Sequence, residues 1–305
     1  MRNLSLLLVI AMMAALLQTV ASAATKKVNT KTPRILVPLY IYPEPGAWDP
    51  LYTAIRNSPS AAFLVIINPN SGPGDGSAPD SDYASAIQQL RSTAAANQTL
   101  ELIGYVPTGY GKRSASQVKS FISTYAKWPR SVRPDGIFFD ETITSQKYLA
   151  KYRNYTDFVK SQSWGVSTKT PSNATYAQRK GITMLNPGTW PESDKFWSIA
   201  DHIVVYEDKL SNFDFGEYQQ LTQNNVPVAS NFQRSYIFYN VDSANVTTKD
   251  GRNFMGVDAL VNATIRVLAS RGGLFITDLK IGEEDVYAKF SGIWQEFVKM
   301  VGASS

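Results

Sequence analysis

Apolar runs of five to eight residues recur along the chain. Each closes on a cluster of Pro, Gly, Asn or Asp, and each is followed by a stretch with helical spacing. The runs are Ile35–Tyr42, Ala62–Asn68, Leu100–Val106, Gly136–Asp140, Ile182–Asn186, His202–Glu207, Val226–Asn231 and Gly273–Thr277. They are apolar on both faces rather than alternating, as strands of a helix-covered parallel sheet are. The patterns between them predict helices over Asp49–Arg56, Ser81–Ala96, Ser114–Lys127, Ser145–Ser161, Ser193–Ala200, Phe215–Asn224, Val257–Ser270 and Glu284–Val301. In the third, Val118, Phe121, Ile122 and Tyr125 recur at helical spacing. Eight strands alternating with eight helices over about 270 residues predict an α/β fold, a single (β/α)₈ TIM-type barrel with parallel strands. A doubly wound open sheet is the rival, and the Gly-rich nucleotide turn that often marks it is absent. The Pro/Gly-rich stretch Asn68 to Asp80 directly follows a strand and reads as a long βα-loop rather than a linker.

The N-terminus breaks this rhythm. Arg2 precedes an apolar segment, Leu6 to Leu17, and Ala21-Ser22-Ala23 has the small-x-small form of a cleavage site. Residues 1–23 therefore read as a secretory signal peptide, 24–33 as a flexible leader, and 34–303 as the barrel. A secreted protein, extracellular or associated with a cell wall, is expected, with no membrane span in the mature chain. Five N-x-[ST] sequons, at Asn97, Asn154, Asn173, Asn245 and Asn262, agree with export and glycosylation.

Composition narrows the chemistry. With no cysteine, thiol nucleophiles, disulfide-stapled folds and cysteine metal sites are excluded. A single histidine, His202, excludes multi-histidine metal centres and argues against a Ser-His-Asp hydrolase. It opens the sixth run, at the end away from the expected active face, and reads as structural. The net charge of +5 falls to +4 without Arg2 and is not gathered into a stripe, so nucleic-acid binding is not expected. No cofactor and no metal is implied, and a monomer is expected.

In such a barrel, function gathers at the C-terminal ends of the strands. Tyr40 and Tyr42 close the first run, Asn68 the second, Tyr105 and Tyr110 the third, Asn186 the fifth, Ser230-Asn231 the seventh and Asp278 the eighth. The fourth and sixth runs end in paired carboxylates, Asp140-Glu141 and Glu207-Asp208. Glycoside hydrolysis requires two acids flanking one bond. Mutual repulsion between clustered acids raises at least one pKa, as a general acid requires. Carboxylates at strand ends are also common helix N-caps, the reading favoured for Asp208 and Asp278. Glu44 lies between two prolines and reads as solvated, as do Asp75 and Asp80. Asparagine and tyrosine suit hydroxyl recognition. Of the six tryptophans, most are read as core, and Trp190 joins the expected substrate-binding residues.

Leu36-Val37-Pro38-Leu39-Tyr40-Ile41-Tyr42-Pro43, Asn68-Pro69-Asn70-Ser71-Gly72-Pro73-Gly74, Gly104-Tyr105-Val106 and Asp135-Gly136-Ile137-Phe138-Phe139-Asp140-Glu141 resemble the spherulin-four-like, or spherulation-specific, family. Leu185-Asn186-Pro187-Gly188 and the Glu207 strand continue the match. The resemblance implies a (β/α)₈ barrel and a secreted endo-acting hydrolase of galactosaminogalactan, cleaving α-1,4-linked N-acetylgalactosamine. It implies Asp140, Glu141 and Glu207 as the catalytic carboxylates and an amino-sugar polysaccharide as the partner. Tyr40, Tyr42, Asn68, Tyr105, Tyr110, Asn186, Trp190 and Asp278 are the expected substrate-binding residues. The alternative is a non-catalytic polysaccharide-binding protein of a cell wall, spore coat or extracellular matrix.

Overall fold

The computed structural model describes residues 33–164, 181–224, 233–268 and 272–303. Eight parallel strands close into a barrel. They are β1 (Arg34–Leu39), β2 (Phe63–Ile67), β3 (Leu100–Pro107), β4 (Gly136–Asp140), β5 (Ile182–Leu185), β6 (His202–Lys209), β7 (Arg234–Tyr239) and β10 (Gly273–Ile276). A two-stranded antiparallel ribbon, β8 (Val246–Thr247) and β9 (Asn253–Phe254), lies between β7 and the helix that follows it. β2 is buried at all five positions and β10 at all four, which accounts for runs without alternation. Barrel and helices share one hydrophobic core that includes Ile35, Phe63, Ile103, Phe139, Val204 and Phe238.

Outside the barrel lie α1 (Asp49–Asn57), α2 (Ser81–Thr93), α3 (Ala115–Lys127), α4 (Leu149–Ser161), α5 (Phe215–Asn224), α6 (Gly256–Val267) and α7 (Trp294–Ala303). Local chemistry sets their starts. Pro50 opens α1 at a position whose amide has no helical partner. Asp80 caps α2 by accepting from the Tyr83 amide at 2.9 Å, a role its reading as a solvated residue did not foresee. Ser114 caps α3 through the Gln117 amide. Trp48, Trp128 and Trp164 are fully buried core residues.

Three expected elements differ. The run Val226–Asn231 lies outside the described residues, and the seventh barrel strand is Arg234–Tyr239. A proline at 227 lacks the amide an interior strand donates, whereas Ser235–Tyr239 pairs with β6 and β10 and is wholly buried. Ser230-Asn231 therefore does not end that strand, and Tyr239-Asn240 does. Ser193–Ala200 is no α-helix but a 3₁₀ turn, Asp194–Ser198, which sinks Phe196 and Trp197 into the core. The last helix begins at Trp294, not Glu284. Asp285 accepts from the Tyr287 amide at 2.9 Å, a local turn bond that competes with helix, and Ser291-Gly292 follows. The segment expected to be a signal peptide, residues 24–32 of the expected leader and the Asn173 sequon lie outside the described residues. Among those described, no helix is long and apolar enough to cross a membrane.

Candidate active site

Asp140 ends β4 and pairs in register with Pro107 of β3. Asn186 follows β5 by one residue and is held from both sides. Its amide donates to the Phe139 carbonyl at 2.8 Å, and its carbonyl accepts from the Thr142 amide at 3.0 Å. Its side-chain Oδ1 accepts from the Gly188 amide at 3.0 Å, which turns Nδ2 toward the barrel mouth. Nδ2 donates to Asp140 Oδ1 at 2.8 Å and to Glu207 Oε2 at 2.6 Å. Two oxygens sharing one nitrogen at those distances lie no more than about 5.4 Å apart, the sum of the two bonds.

Glu207 reaches this position through an irregularity in β6. The register with β7 shifts between Val204 and Tyr206, so that Val205 is an extra residue. Such a bulge resets which face the following side chains take. The Tyr218 hydroxyl donates to the Val205 carbonyl at 3.0 Å, satisfying the acceptor the bulge releases.

Phenols complete the cluster. The Tyr105 hydroxyl donates to Asp140 Oδ2 at 2.7 Å, and the Tyr287 hydroxyl donates to Glu207 Oε1. Tyr40, one residue past β1, packs edge-on against Tyr105 and Tyr287, with centroids 5.5 and 5.2 Å away. Burial pushes the Asp140 carboxyl above the usual carboxylate range, and the donors from Tyr105, the Glu141 backbone and Asn186 oppose it. Burial likewise raises Glu207, against the donors from Tyr287 and Asn186, and Asp140 raises it further. The phenols of Tyr40 and Tyr105 are pushed up by burial and then by the Asp140 charge, and that of Tyr287 by burial and the Glu207 charge. All three stay protonated, and Tyr105 and Tyr287 serve as donors.

The other expected residues divide. Glu141 directly follows Asp140, but its φ of 53° turns it left-handed, and its Oε2 accepts from the Gly109 amide at 2.9 Å. Asn68 Oδ1 accepts from the Gly72 amide at 3.0 Å and so folds its own loop. Tyr42 is exposed, with its hydroxyl on Asp82 at 3.0 Å, which holds its pKa up at about 12. Tyr110 is exposed beside β3. Trp190 packs against Trp197 and Tyr218. Asp278, just past β10, has one carboxylate oxygen buried without a hydrogen-bond partner. Asp208 is no N-cap: it lies within β6 and accepts from Asn212 and Tyr239. His202 is buried at the start of β6. Asn97, Asn154 and Asn245 are exposed and Asn262 is half-buried on α6. No group of three or more acidic or imidazole side chains that could hold a metal occurs among the described residues.

Sequence reasoning missed Tyr287, which it placed in a helix; the turn signal of Asp285 and the Ser291-Gly292 pair were the available clue.

The fold and this cluster define a (β/α)₈ barrel with a carboxylate pair at its C-terminal mouth, an arrangement used by polysaccharide hydrolases and binders. The chain belongs to spherulation-specific family 4, whose sequence model matches residues 34–301. It is 34% identical to Spherulin-4 of Physarum polycephalum over 246 residues, a match covering 80% of this chain and 63% of that protein. The crystal structure of Aspergillus clavatus Sph3 in complex with GalNAc superposes with a TM-score of 0.70 at 34% identity, covering 89% of this chain and 98% of the other.

Proposed function

We propose that this protein is a secreted glycoside hydrolase that cleaves α-1,4-linked N-acetylgalactosamine within a galactosaminogalactan-type polysaccharide, with Asp140 and Glu207 as the reacting pair. The observation that carries the reading is the shared amide of Asn186. It fixes two carboxylates, from the fourth and sixth strands, at a separation of no more than about 5.4 Å between bonded oxygens. Retaining glycosidases hold their carboxyl groups about 5–5.5 Å apart, and inverting ones about 6.5–9.5 Å. The likeness to Sph3, a structure with GalNAc bound, supports the sugar class.

The roles follow from the donors. Asp140 receives three, from Tyr105, Asn186 and the Glu141 backbone, and these favour its ionised form. Glu207 receives two against a burial that favours the proton. Asp140 then attacks the anomeric carbon and forms a glycosyl ester, while the Glu207 proton passes to the leaving 4-oxygen. Glu207 next takes a proton from water, whose oxygen attacks the same carbon and releases Asp140. Two inversions return the original configuration. Secretion rests on the signal peptide, and the exposed sequons at Asn97, Asn154 and Asn245 agree with it.

The test is release of reducing ends from purified galactosaminogalactan by the wild type, Asp140→Asn and Glu207→Gln. Release by the wild type alone is expected. Binding by all three with no release from any would make the protein a non-catalytic polysaccharide binder.

A further inference from the structure

Four non-glycine residues among those described have positive φ: Ser71, Tyr110, Glu141 and Asn240. Each lies on the loop that follows a barrel strand, β2, β3, β4 and β7, at the end that carries the carboxylate pair. Left-handed backbone disfavours any side chain and most of all a bulky one. Strain of this kind persists where surrounding structure over-determines it, and it concentrates at functional sites.

Tyr110 is the bulkiest of the four and the hardest to explain from the fold. Its φ is 51°, between Gly109 at 59° and Gly111 at 77°. The glycines on either side meet the same backbone demand with no side chain. Tyr110 is 57% exposed. Among the described residues no aromatic ring packs on it and no hydrogen bond holds its hydroxyl. The fold gains nothing visible from that ring.

The backbone beneath it is held firmly. The Tyr110 amide donates to the Glu141 carbonyl at 2.7 Å, and the Gly109 amide to the Glu141 carboxylate at 2.9 Å. The buried Thr108 hydroxyl lies within hydrogen-bond distance of the carbonyl oxygens of both Asp140 and Glu141, at 2.9 and 2.7 Å. A Cβ on Gly111 would meet the Tyr148 ring at 2.7 Å, so the turn is also packed from behind. The turn presenting Tyr110 is thus stitched to the residue that bears a reacting carboxylate.

We infer that Tyr110 is a sugar-stacking platform for a unit of the polysaccharide beside the one at the Asp140–Glu207 pair, and that Glu141 is the positioning residue that holds the platform in place. This rests on the reading of the site as a polysaccharide site. The ring faces of pyranoses are apolar, and an exposed, rigidly mounted phenol offers a matching surface. The platform adds affinity for chains and none for a single sugar. Loss of such a stacking contact weakens binding roughly three- to tenfold.

The experiment uses Asp140→Asn as parent, so that binding is read without turnover. Affinities for galactosaminogalactan and for free N-acetylgalactosamine are measured for the parent and with Tyr110→Gly or Tyr110→Trp added, together with thermal midpoints. Tyr110→Gly is expected to weaken polymer binding by that three- to tenfold, to leave the monosaccharide affinity unchanged, and to melt no lower than the parent. Tyr110→Trp is expected to retain polymer binding. Unchanged polymer affinity in Tyr110→Gly would overturn the platform. So would a lower melting point accompanied by loss of monosaccharide binding, since the ring would then be holding the turn. A parent that binds neither ligand would overturn the polysaccharide reading itself, and with it this inference.

Discussion

Replacing Asn186 by alanine removes a group bonded to both carboxylates. A charge-assisted bond to the ionised Asp140 is lost at 2.8 Å, a neutral one to the protonated Glu207 at 2.6 Å, and so is the bond from the Gly188 amide to Oδ1. Hydrogen bonds to charged groups contribute about 1.5–3 kcal/mol each, and a neutral one about 1 kcal/mol. Water entering the vacated space recovers part of this, so the net loss at neutral pH is about 3 kcal/mol, a fall in Tm of about 6–12 °C for a chain of this size. The loss depends on pH with a definite sign. Both carboxyls already titrate above their ordinary range in the folded protein, and losing a donor raises them further. A group raised by folding contributes stability below its unfolded pKa and loses it as pH rises through the folded value. The deficit of Asn186→Ala is therefore largest near neutrality and shrinks toward about 2 kcal/mol, the neutral bonds to Glu207 and from Gly188, below the ordinary carboxylate range. Calorimetric melts of wild type and variant from pH 4 to 8 give the comparison. A deficit constant across that range, or growing in acid, would refute the argument that the amide acts by stabilising the buried Asp140 charge.

Other outcomes follow from the same geometry. Asp140→Asn removes a desolvated charge and Glu207→Gln a buried protonated carboxyl, and each leaves an amide that can accept from Asn186 and donate to its tyrosine oxygen; activity should fall at least about 10³-fold in both while Tm at pH 7 rises by about 2–4 °C in Asp140→Asn, and a lower Tm in that variant would contradict the burial argument. Tyr287→Phe removes a donor that holds Glu207 down, so the alkaline limb of the kcat profile should move to higher pH and kcat at the optimum should fall about tenfold; a limb that stays put would show that Glu207 is not the acid. Gly111→Ala sets a methyl against the Tyr148 ring at a φ of 77° and should cost roughly 2–4 kcal/mol, read by urea unfolding.

Most of the barrel was legible because parallel strands buried on both faces leave uninterrupted apolar runs. Phe63–Ile67 and Gly136–Asp140 are such runs, and their C-terminal neighbours are the site in any barrel of this kind. Asp140, Asn186 and Glu207 could be named on that ground. The seventh strand was misplaced because an apolar segment around Pro227 has the same composition as a strand, and only pairing distinguishes it from Arg234–Tyr239. Periodicity is also blind to single-residue backbone events. The extra residue at Val205 sets the face that Glu207 takes, and the left-handed turn at Glu141 sends that side chain to Gly109. Tyr287 was hidden for a different reason: a helical pattern over Glu284–Val301 is overridden by a local turn and by the bond to Glu207, 80 residues away.

The most direct measurement is the anomeric configuration of the first product released from α-1,4-linked N-acetylgalactosamine polymer, followed by proton NMR before mutarotation. The shared Asn186 amide and the separation it imposes on Asp140 and Glu207 predict that the α anomer appears first. The β anomer appearing first, or no product at all from wild-type protein that binds the polymer, would contradict the account.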